Sequence, residues 1–314
     1  MTFQNSKILI TGGFGALGFN LINYLKNNFD CQIHVIDNLS SGHINFSKEI
    51  ESSYIDIGNN EKLNSFFKNY QPNYIFHLAA HFANQNSVDH PLSDISTNVI
   101  GIVNLFESQR KNNELRKIIF ASSSCVYGNN PDMSEDLMVL PYDTPYAINK
   151  YIGELYCKYY AEIHKLPIVS ARIFNSFGPG EMPGQYRNVI PNFIKKALLN
   201  EDIIITGTGE ETRDFTYVLD TVLLLSKLSL SEFKNAEIFN GGTGKKSSIN
   251  NLTEKILRLT ESKSKIVYTP ARNWDHVKDR CSNIEKSERL LGYNPSHDLE
   301  EGLIKTINWI KEKL

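Results

Sequence analysis

The fold class follows from residues 7–18, which read Lys-Ile-Leu-Ile-Thr-Gly-Gly-Phe-Gly-Ala-Leu-Gly. The apolar run Lys7–Thr11 leads into the glycines and predicts a buried parallel strand. Beyond the glycines, apolar residues recur on one helical face to about Lys26. The glycines at positions 13, 15 and 18 match G-x-G-x-x-G, and those at 12, 15 and 18 match G-x-x-G-x-x-G. A strand, a glycine turn and a helix in this order predict a dinucleotide pyrophosphate at the helix N-terminus.

An acidic residue stands where a dinucleotide site requires it. The second predicted strand, Gln32–Ile36, ends at Asp37, about 20 residues past the glycines. A carboxylate there accepts hydrogen bonds from the adenosine ribose and repels a 2′-phosphate. Because Asn38–Gly42 contains no arginine, the pattern predicts NAD rather than NADP. The alternative reading of Asp37 is a residue that merely caps a turn.

Apolar runs alternate with helical patterns through the first half of the chain, which predicts a doubly wound parallel α/β sheet. Asp56, at the end of the third predicted strand, could accept the adenine amino group, and Asn98 begins a long helix, Ser96–Arg110. The third to sixth predicted strands are Ser53–Ile57, Asn73–Ala80, Lys117–Ser122 and Pro167–Ile173.

A tyrosine and a lysine four residues apart, Tyr146 and Lys150, form a Y-x-x-x-K pair. Positions i and i+4 share one face of a helix, so the ammonium is expected to favour the phenolate and lower the tyrosine pKa from about 10. Such a tyrosine can take a proton from an alcohol while a hydride leaves the same carbon. The serine-rich strand end that begins at Ser123 can bond the same alcohol. The alternative is an exposed lysine beside a packed tyrosine.

Composition excludes several classes of function. The 314 residues have a formal net charge of −2, so no overall field attracts nucleic acid or membranes. The four cysteines show neither C-x-x-C nor a His/Cys metal spacing, which indicates reduced thiols, no metal site and a cytoplasmic location. No stretch is apolar enough for a membrane span.

Taken in order, these motifs resemble the extended short-chain dehydrogenases/reductases, in particular the nucleotide-sugar branch of the NAD-dependent epimerase/dehydratase family. The resemblance covers nearly the whole chain, from Thr11–Gly18 through Tyr146–Lys150 to Arg280. It implies an NAD-binding Rossmann domain, residues 1–173 and 213–240. It also implies a smaller mixed α/β lobe for a nucleoside-diphosphate sugar, residues 174–212 and 241–314.

The resemblance also implies a role for individual residues. Ser123 takes the position of the catalytic Ser/Thr, Tyr146 that of the general base, and Lys150 that of the residue that holds the nicotinamide ribose. Asn175, Asn188, Arg213 and Arg280 fall at substrate-contacting positions, and the two arginines suit a diphosphate. Asn283 departs from the family pattern, in which Asp is common. The residues expected to contact the cofactor are Gly12, Gly15, Ala16, Leu17, Gly18, Asp37, Asn38, Ser41, Gly42, Asp56, Ile57, Leu78, Ala79, Ala80, Asn98, Tyr146, Lys150 and Ile173.

The expected reaction begins with oxidation at C4 of the sugar. A 4-epimerase is ranked first, and a C4 dehydrogenase that releases the 4-keto sugar is close behind. A 4,6-dehydratase or a decarboxylase is ranked lower, because Ser124 and Cys125 replace the carboxylates that related enzymes carry after the catalytic Ser/Thr. A non-catalytic NAD sensor ranks last, because Ser123, Tyr146 and Lys150 are all present. A homodimer or homotetramer is expected, with the aromatic helix Tyr146–His164 as a contact surface.

Overall fold

The structure, a computed structural model, describes residues 2–42 and 50–314. Its centre is a seven-stranded parallel sheet in the order β11-β6-β5-β4-β1-β2-β3. This order confirms the predicted doubly wound α/β class, because the strand sequence reverses direction at β1 and β4. The seven strands are β1 (Ser6–Thr11), β2 (Cys31–Asp37), β3 (Glu51–Tyr54), β4 (Tyr74–His77), β5 (Lys117–Ser123), β6 (Ile168–Ile173) and β11 (Asn235–Gly241).

Helices cover both faces of the sheet. Neighbouring residues on one strand point to opposite faces, so Ile8 and Ile10 enter one core while Leu9 enters the other. The first core includes α1 (Ala16–Asn28) and α8 (Val218–Leu230). The second includes α2 (Asn60–Asn69), α5 (Gly101–Gln109) and α6 (Pro145–His164). Strands buried on both faces explain the continuous apolar runs in the sequence.

A third hydrophobic core is separate from the two cores on the faces of the sheet, and we call the elements that form it the smaller lobe. Its core draws on three helices, α7 (Val189–Leu198), α9 (Ile249–Thr260) and α11 (Leu299–Lys311). Its short sheets pair β10 with β7, β13 with β8, and β9 with both β12 and β14. These strands are β7 (Ser176–Phe177), β8 (Ile203–Thr206), β9 (Thr212–Arg213), β10 (Thr216–Tyr217), β12 (Ser247–Ser248), β13 (Ile266–Thr269) and β14 (Asp279–Arg280).

Most predicted boundaries agree with the structure to within a few residues, but two differ for clear reasons. The third strand ends at Tyr54, because the Asp56 carboxylate accepts the Gly58 N–H (2.8 Å) and turns the chain out of the sheet. The helix expected from Ser96 begins earlier, with α4 (Pro91–Ile95), and continues through a π-helical turn, Ser96–Ile100, into α5. Pro91 suits a first helical position, where its missing N–H has no partner to lose. The sequence predicts β8 and β13 as short strands at Ile203–Ile205 and Lys265–Tyr268, but α2, α3 (Asn84–Asp89) and the two-residue strands were not predicted. The remaining helix is α10 (Glu285–Leu291).

Candidate active site

One continuous cavity runs along the carboxyl ends of the central strands and under the smaller lobe. It is lined by every residue expected to contact cofactor or substrate, with the exceptions of Asp56 and Asn98. The motifs therefore converge on a single site. No cluster of side chains suited to a metal ion occurs among residues 2–42 and 50–314, and no helix in those ranges is long and apolar enough to cross a membrane.

The glycine turn packs so closely that two of its positions exclude a side chain. Gly12 has a φ of +70°, and a Cβ there would lie 2.7 Å from the backbone of Ala79. A Cβ on Gly18 would lie 2.5 Å from the backbone of Gly13. Gly15 is the N-cap of α1, no side chain caps this helix end, and Gly15 to Gly18 line the cavity. The N–H groups of a first helical turn have no partner within the helix. This helix end fits a pyrophosphate.

Asp37 lines the cavity at the end of β2, and its two oxygens accept the N–H groups of Phe14 (3.0 Å) and Leu39 (2.8 Å). These bonds fix the carboxylate and leave it lone pairs for ribose hydroxyls. Asp56 lies beside the cavity rather than in its lining, and its expected hydrogen bond to the adenine amino group stays a prediction. Its carboxylate is exposed and accepts hydrogen bonds from Asn38 (2.9 Å) and Gly58, outside the lining.

Asn98 lies outside the cavity lining, and its expected contact with the cofactor stays a prediction. Its side chain is buried, and its Oδ1 accepts the N–H of His81 (3.0 Å) while Nδ2 donates to the His81 carbonyl (3.1 Å). Asn98 thereby holds the backbone of His81, a residue that does line the cavity. A helix-start asparagine in sequence does not reveal which loop its amide will hold.

Ser123, Tyr146 and Lys150 all line the cavity and lie next to one another. Ser123 is the last residue of β5, and Tyr146 stands in the first turn of α6, which Thr144 caps by accepting the Ala147 N–H. Lys150 follows one turn later, with Nζ 5.7 Å from the centroid of the Tyr146 ring. The Lys150 ammonium donates to the Ala121 carbonyl (2.8 Å). The helical spacing of the Y-x-x-x-K pair therefore does place both groups in one pocket.

The predicted lowering of the Tyr146 pKa is wrong for the protein chain by itself. Burial raises this pKa well above its ordinary value, Cys125 and Asp94 add to the effect, and a hydrogen bond with Ser123 opposes it. Burial also lowers the pKa of the Lys150 ammonium to about 8, against the opposing charge of Asp94. Desolvation has the larger effect because both side chains are almost fully buried, and burial disfavours the charged form of each.

Arg213 and Arg280 lie side by side, although the division expected from the sequence assigns them to different domains. Arg213 on β9 and Arg280 on β14 are paired residues of neighbouring parallel strands. Arg213 donates to the Thr212 carbonyl (2.8 Å) and lies 3.6 Å from the Asp275 carboxylate. Burial, and then the charge of Arg280, lowers the Arg213 pKa. Arg280 is 6% exposed, and its NH1 reaches Cys125 Sγ at 3.5 Å.

The two asparagines expected at substrate positions also line the cavity. Asn175 donates from Nδ2 to the Asp214 carbonyl (3.1 Å). Asn188 precedes α7, and its backbone N–H and side-chain amide donate to the two oxygens of Glu181 (3.1 and 3.2 Å). Burial raises the Glu181 pKa. Asn283, the departure from the family pattern, uses its Oδ1 to accept the Glu285 N–H (3.0 Å) at the start of α10.

Several lining residues escaped the sequence analysis. Arg187 donates to the Ser41 carbonyl, and Trp274 Nε1 donates to Gln85 Oε1 (3.0 Å). Arg272 lies over the Trp274 ring, 5.5 Å from its centroid. These contacts join segments 146 and 189 residues apart in sequence, and no local motif marks them. Arg187 also places a cation beside the segment Asn38–Gly42, which contains no arginine of its own.

Comparison with known proteins agrees with this geometry. Residues 8–242 match the model of the NAD dependent epimerase/dehydratase family. An epimerase structure, Mth375 of Methanothermobacter thermautotrophicus, is 39% identical with a TM-score of 0.93, over 99% of this chain and 94% of the other. A UDP-glucose 4-epimerase of Thermotoga maritima, solved with UDP-glucose, is 32% identical with a TM-score of 0.92, over 98% and 99%.

A further relative carries out a different reaction on a related substrate. The UDP-N-acetyl-alpha-D-glucosaminuronate decarboxylase of Bacillus cytotoxicus is 33% identical over 98% of this chain and 99% of its own length. The similarity thus extends over nearly the whole chain, and proteins with more than one activity show it. The family model and these full-length matches confirm the resemblance stated above: the chain belongs to the NAD-dependent epimerase/dehydratase family.

Proposed function

We propose that this enzyme is an NAD-dependent 4-epimerase of UDP-sugars. The observation that carries the proposal is that Ser123, Tyr146 and Lys150 adjoin one another in the lining of one cavity. The glycine turn, Asp37 and a group of arginines line the same cavity. The uridine nucleotide is suggested by the Thermotoga maritima relative, which was solved with UDP-glucose.

The residues present fit NAD. The uncapped start of α1 would hold the pyrophosphate, Asp37 the adenosine ribose, and Lys150 the nicotinamide ribose. Ala79 and Ala80 are small enough for the cofactor to lie against their backbone. When bound, NAD supplies the acceptor for the hydride that leaves C4. Arg187 already donates to the Ser41 carbonyl, and the Asp37 carboxylate at the end of β2 would repel a 2′-phosphate. We therefore expect NAD rather than NADP.

The chain's own residues would control the proton. Tyr146 would accept it from the C4 hydroxyl, with the Ser123 hydroxyl bonded to the same oxygen. Since burial raises the Tyr146 pKa, deprotonation requires added positive charge nearby. Lys150 provides one such charge, and its bond to the Ala121 carbonyl holds the ammonium beneath the ring. In an epimerase, Tyr146 returns the proton after the 4-keto sugar has presented its other face.

The side chains that follow Ser123 favour return of the hydride to C4 over proton removal at C5. The residues that follow Ser123 are Ser124 and Cys125, in a 3-10 turn at the cavity wall. Neither is a carboxylate that could remove and return a C5 proton. Glu181 does line the cavity, but both of its oxygens accept hydrogen bonds from Asn188, which suits a positioning role.

The exposed face of two neighbouring helices supports a homodimer. Leu92, Ile95 and Ile100 on the α4–α5 segment, and Leu155 and Ile163 on α6, expose large apolar side chains, with Leu92 81% exposed. Exposed apolar side chains on neighbouring helices are suited to self-association across a two-fold axis. Light scattering on the purified protein measures this directly. We also retain, as predictions, the division of the chain into the two lobes defined above and the cytoplasmic location.

The decisive experiment incubates the protein with a panel of UDP-sugars and follows NADH absorbance, product mass and product NMR. We expect a C4 epimer with the mass of the substrate and no net NADH. Stoichiometric NADH with a product lighter by two hydrogens would instead identify the C4 dehydrogenase. Extraction of the purified protein should release NAD(H), and mainly NADP(H) in the extract would contradict the assignment of Asp37.

A further inference from the structure

Arg280 is a buried cation without a carboxylate partner among the residues that the structure describes. Within residues 2–42 and 50–314, its one side-chain contact of hydrogen-bond length is NH1 to Cys125 Sγ, and its Nε has no partner. Arg172, which is equally enclosed, shows the usual arrangement: Glu154 accepts from it twice, at 2.9 and 2.8 Å. A buried guanidinium normally needs such an anion. The unpaired guanidinium of Arg280 therefore indicates that the bound ligand carries an anionic group at this position.

The position of Arg280 identifies the part of the ligand concerned. Its partner Cys125 donates its backbone N–H to Ser123 Oγ (3.2 Å), and Cys125 is close enough to raise the Tyr146 pKa. Arg280 thus reaches the end of the cavity where the sugar would be oxidised. Arg213, its neighbour on β9, instead turns back to the Thr212 carbonyl and to Asp275. The two arginines are adjacent in the sheet but point to different partners.

We infer that Arg280 binds a carboxylate on the sugar, and that the substrates are UDP-hexuronic acids. This inference rests on the proposed 4-epimerase function and narrows it. In a hexuronate the carboxylate carbon is attached to C5, next to C4. A sugar with its C4 hydroxyl at Ser123 and Tyr146 therefore holds this carboxylate within reach of a guanidinium at Cys125. Arg280 then departs from the diphosphate role expected from the resemblance, which remains with Arg213.

Cys125 fits this assignment because it is uncharged and of moderate size. An acidic side chain at this position would form an ion pair with Arg280 within the protein. The thiol instead holds the NH1 group in place and leaves Nε free. A paired guanidinium and carboxylate form charge-assisted bonds, which are stronger than neutral ones. The site is therefore expected to discriminate between UDP-glucuronate and UDP-glucose by charge.

The test compares kcat/KM for UDP-glucuronate and UDP-glucose in the wild type and in Arg280→Gln. We expect the wild type to prefer UDP-glucuronate. The ratio of the two kcat/KM values should fall roughly 10- to 100-fold in Arg280→Gln, the scale of one charge-assisted contact. Arg213→Gln is the matched control, because it should weaken both substrates alike. An equal loss on both substrates in Arg280→Gln would assign Arg280 to the diphosphate and overturn the inference.

Cys125 provides a second route if Arg280→Gln does not fold. Cys125→Asp should lower the same ratio, by giving Arg280 an internal counter-ion, whereas Cys125→Ser should preserve it. An unchanged ratio in Cys125→Asp, or a wild type that prefers UDP-glucose, contradicts the inference while leaving the 4-epimerase function intact. A wild type that binds UDP in calorimetry but converts neither sugar would remove the proposed function itself.

Discussion

In the NAD-free protein, the buried charge of Lys150 should lower the free energy of unfolding at neutral pH. An uncharged side chain at this position would not carry this penalty. Burial lowers the pKa of Lys150 from 10.5 to about 8 in the folded protein. Between these two pH values the unfolded chain binds more protons than the folded one, so stability rises with pH across this window. At about 1.36 kcal/mol for each pKa unit, the full penalty is about 3 kcal/mol. It is present below pH 8 and absent above pH 10.5.

The substitution that exposes this penalty is Lys150→Met, which keeps the length of the side chain and removes the charge. Urea unfolding of the NAD-free proteins at pH 7.0 and pH 9.5 gives the difference in free energy of unfolding between variant and wild type. From the linkage relation, this difference should be about 2 kcal/mol smaller at pH 9.5 than at pH 7.0. The lost hydrogen bond to the Ala121 carbonyl shifts both values equally, by about 1 kcal/mol, and cancels.

A difference that stays constant between the two pH values would refute the reasoning, because it would mean that Lys150 keeps an ordinary pKa in the folded chain. Measurements stay below pH 10 because Tyr146 then begins to contribute. Its raised pKa means that the unfolded chain loses this proton first, so stability falls with pH from about 10 upward. The two residues therefore act in opposite directions in different pH ranges, and only the Lys150 range is sampled.

The remaining predictions concern catalysis, the glycine turn and the product. Tyr146→Phe should lower kcat by roughly 10²–10⁴-fold with an unchanged circular dichroism spectrum, and near-normal turnover would exclude Tyr146 as the base. Gly18→Ala should destabilise the protein by about 1–3 kcal/mol, because its Cβ would lie 2.5 Å from Gly13; in the exposed control Gly184→Ala the nearest atom is a flexible arginine side chain at 3.3 Å. Mass spectrometry should find no product lighter by water or by CO₂, since Ser124 and Cys125 offer no carboxylate; such a main product would mean that another acid reaches C5.

Short-range patterns in the sequence predicted most of the site. The glycine turn, Asp37 and the Y-x-x-x-K pair each depend on a strand end or a helix turn, and their geometry follows from local spacing. The parallel sheet then brings these strand ends to one edge, which is why residues from Gly12 to Lys150 line one cavity. Agreement at this level required no knowledge of side-chain contacts.

Long-range contacts and burial were not predictable in the same way. Arg187 and Trp274 enter the site from loops of the smaller lobe, and their partners Ser41 and Gln85 lie far away in sequence. The direction of the Tyr146 pKa shift was also missed. The sequence showed the neighbouring ammonium but not the near-complete enclosure that outweighs it.

The buried charges of this protein fall into two classes, and the difference bears on function. Arg172 and Glu154 satisfy each other, so their burial holds β6 to α6 and needs no ligand. Lys150 and Arg280 are also enclosed, yet one has a carbonyl and the other a thiol as its hydrogen-bond partner. A folded chain retains such uncompensated charges only at a free-energy penalty, which a bound anion or cofactor can offset. Lys117 is enclosed as well, but its ammonium donates to the carbonyls of Ser231 and Phe233 and lies outside the cavity lining. Lys150 and Arg280 both line the cavity, and this arrangement suits a site that completes its charge balance when cofactor and substrate are bound.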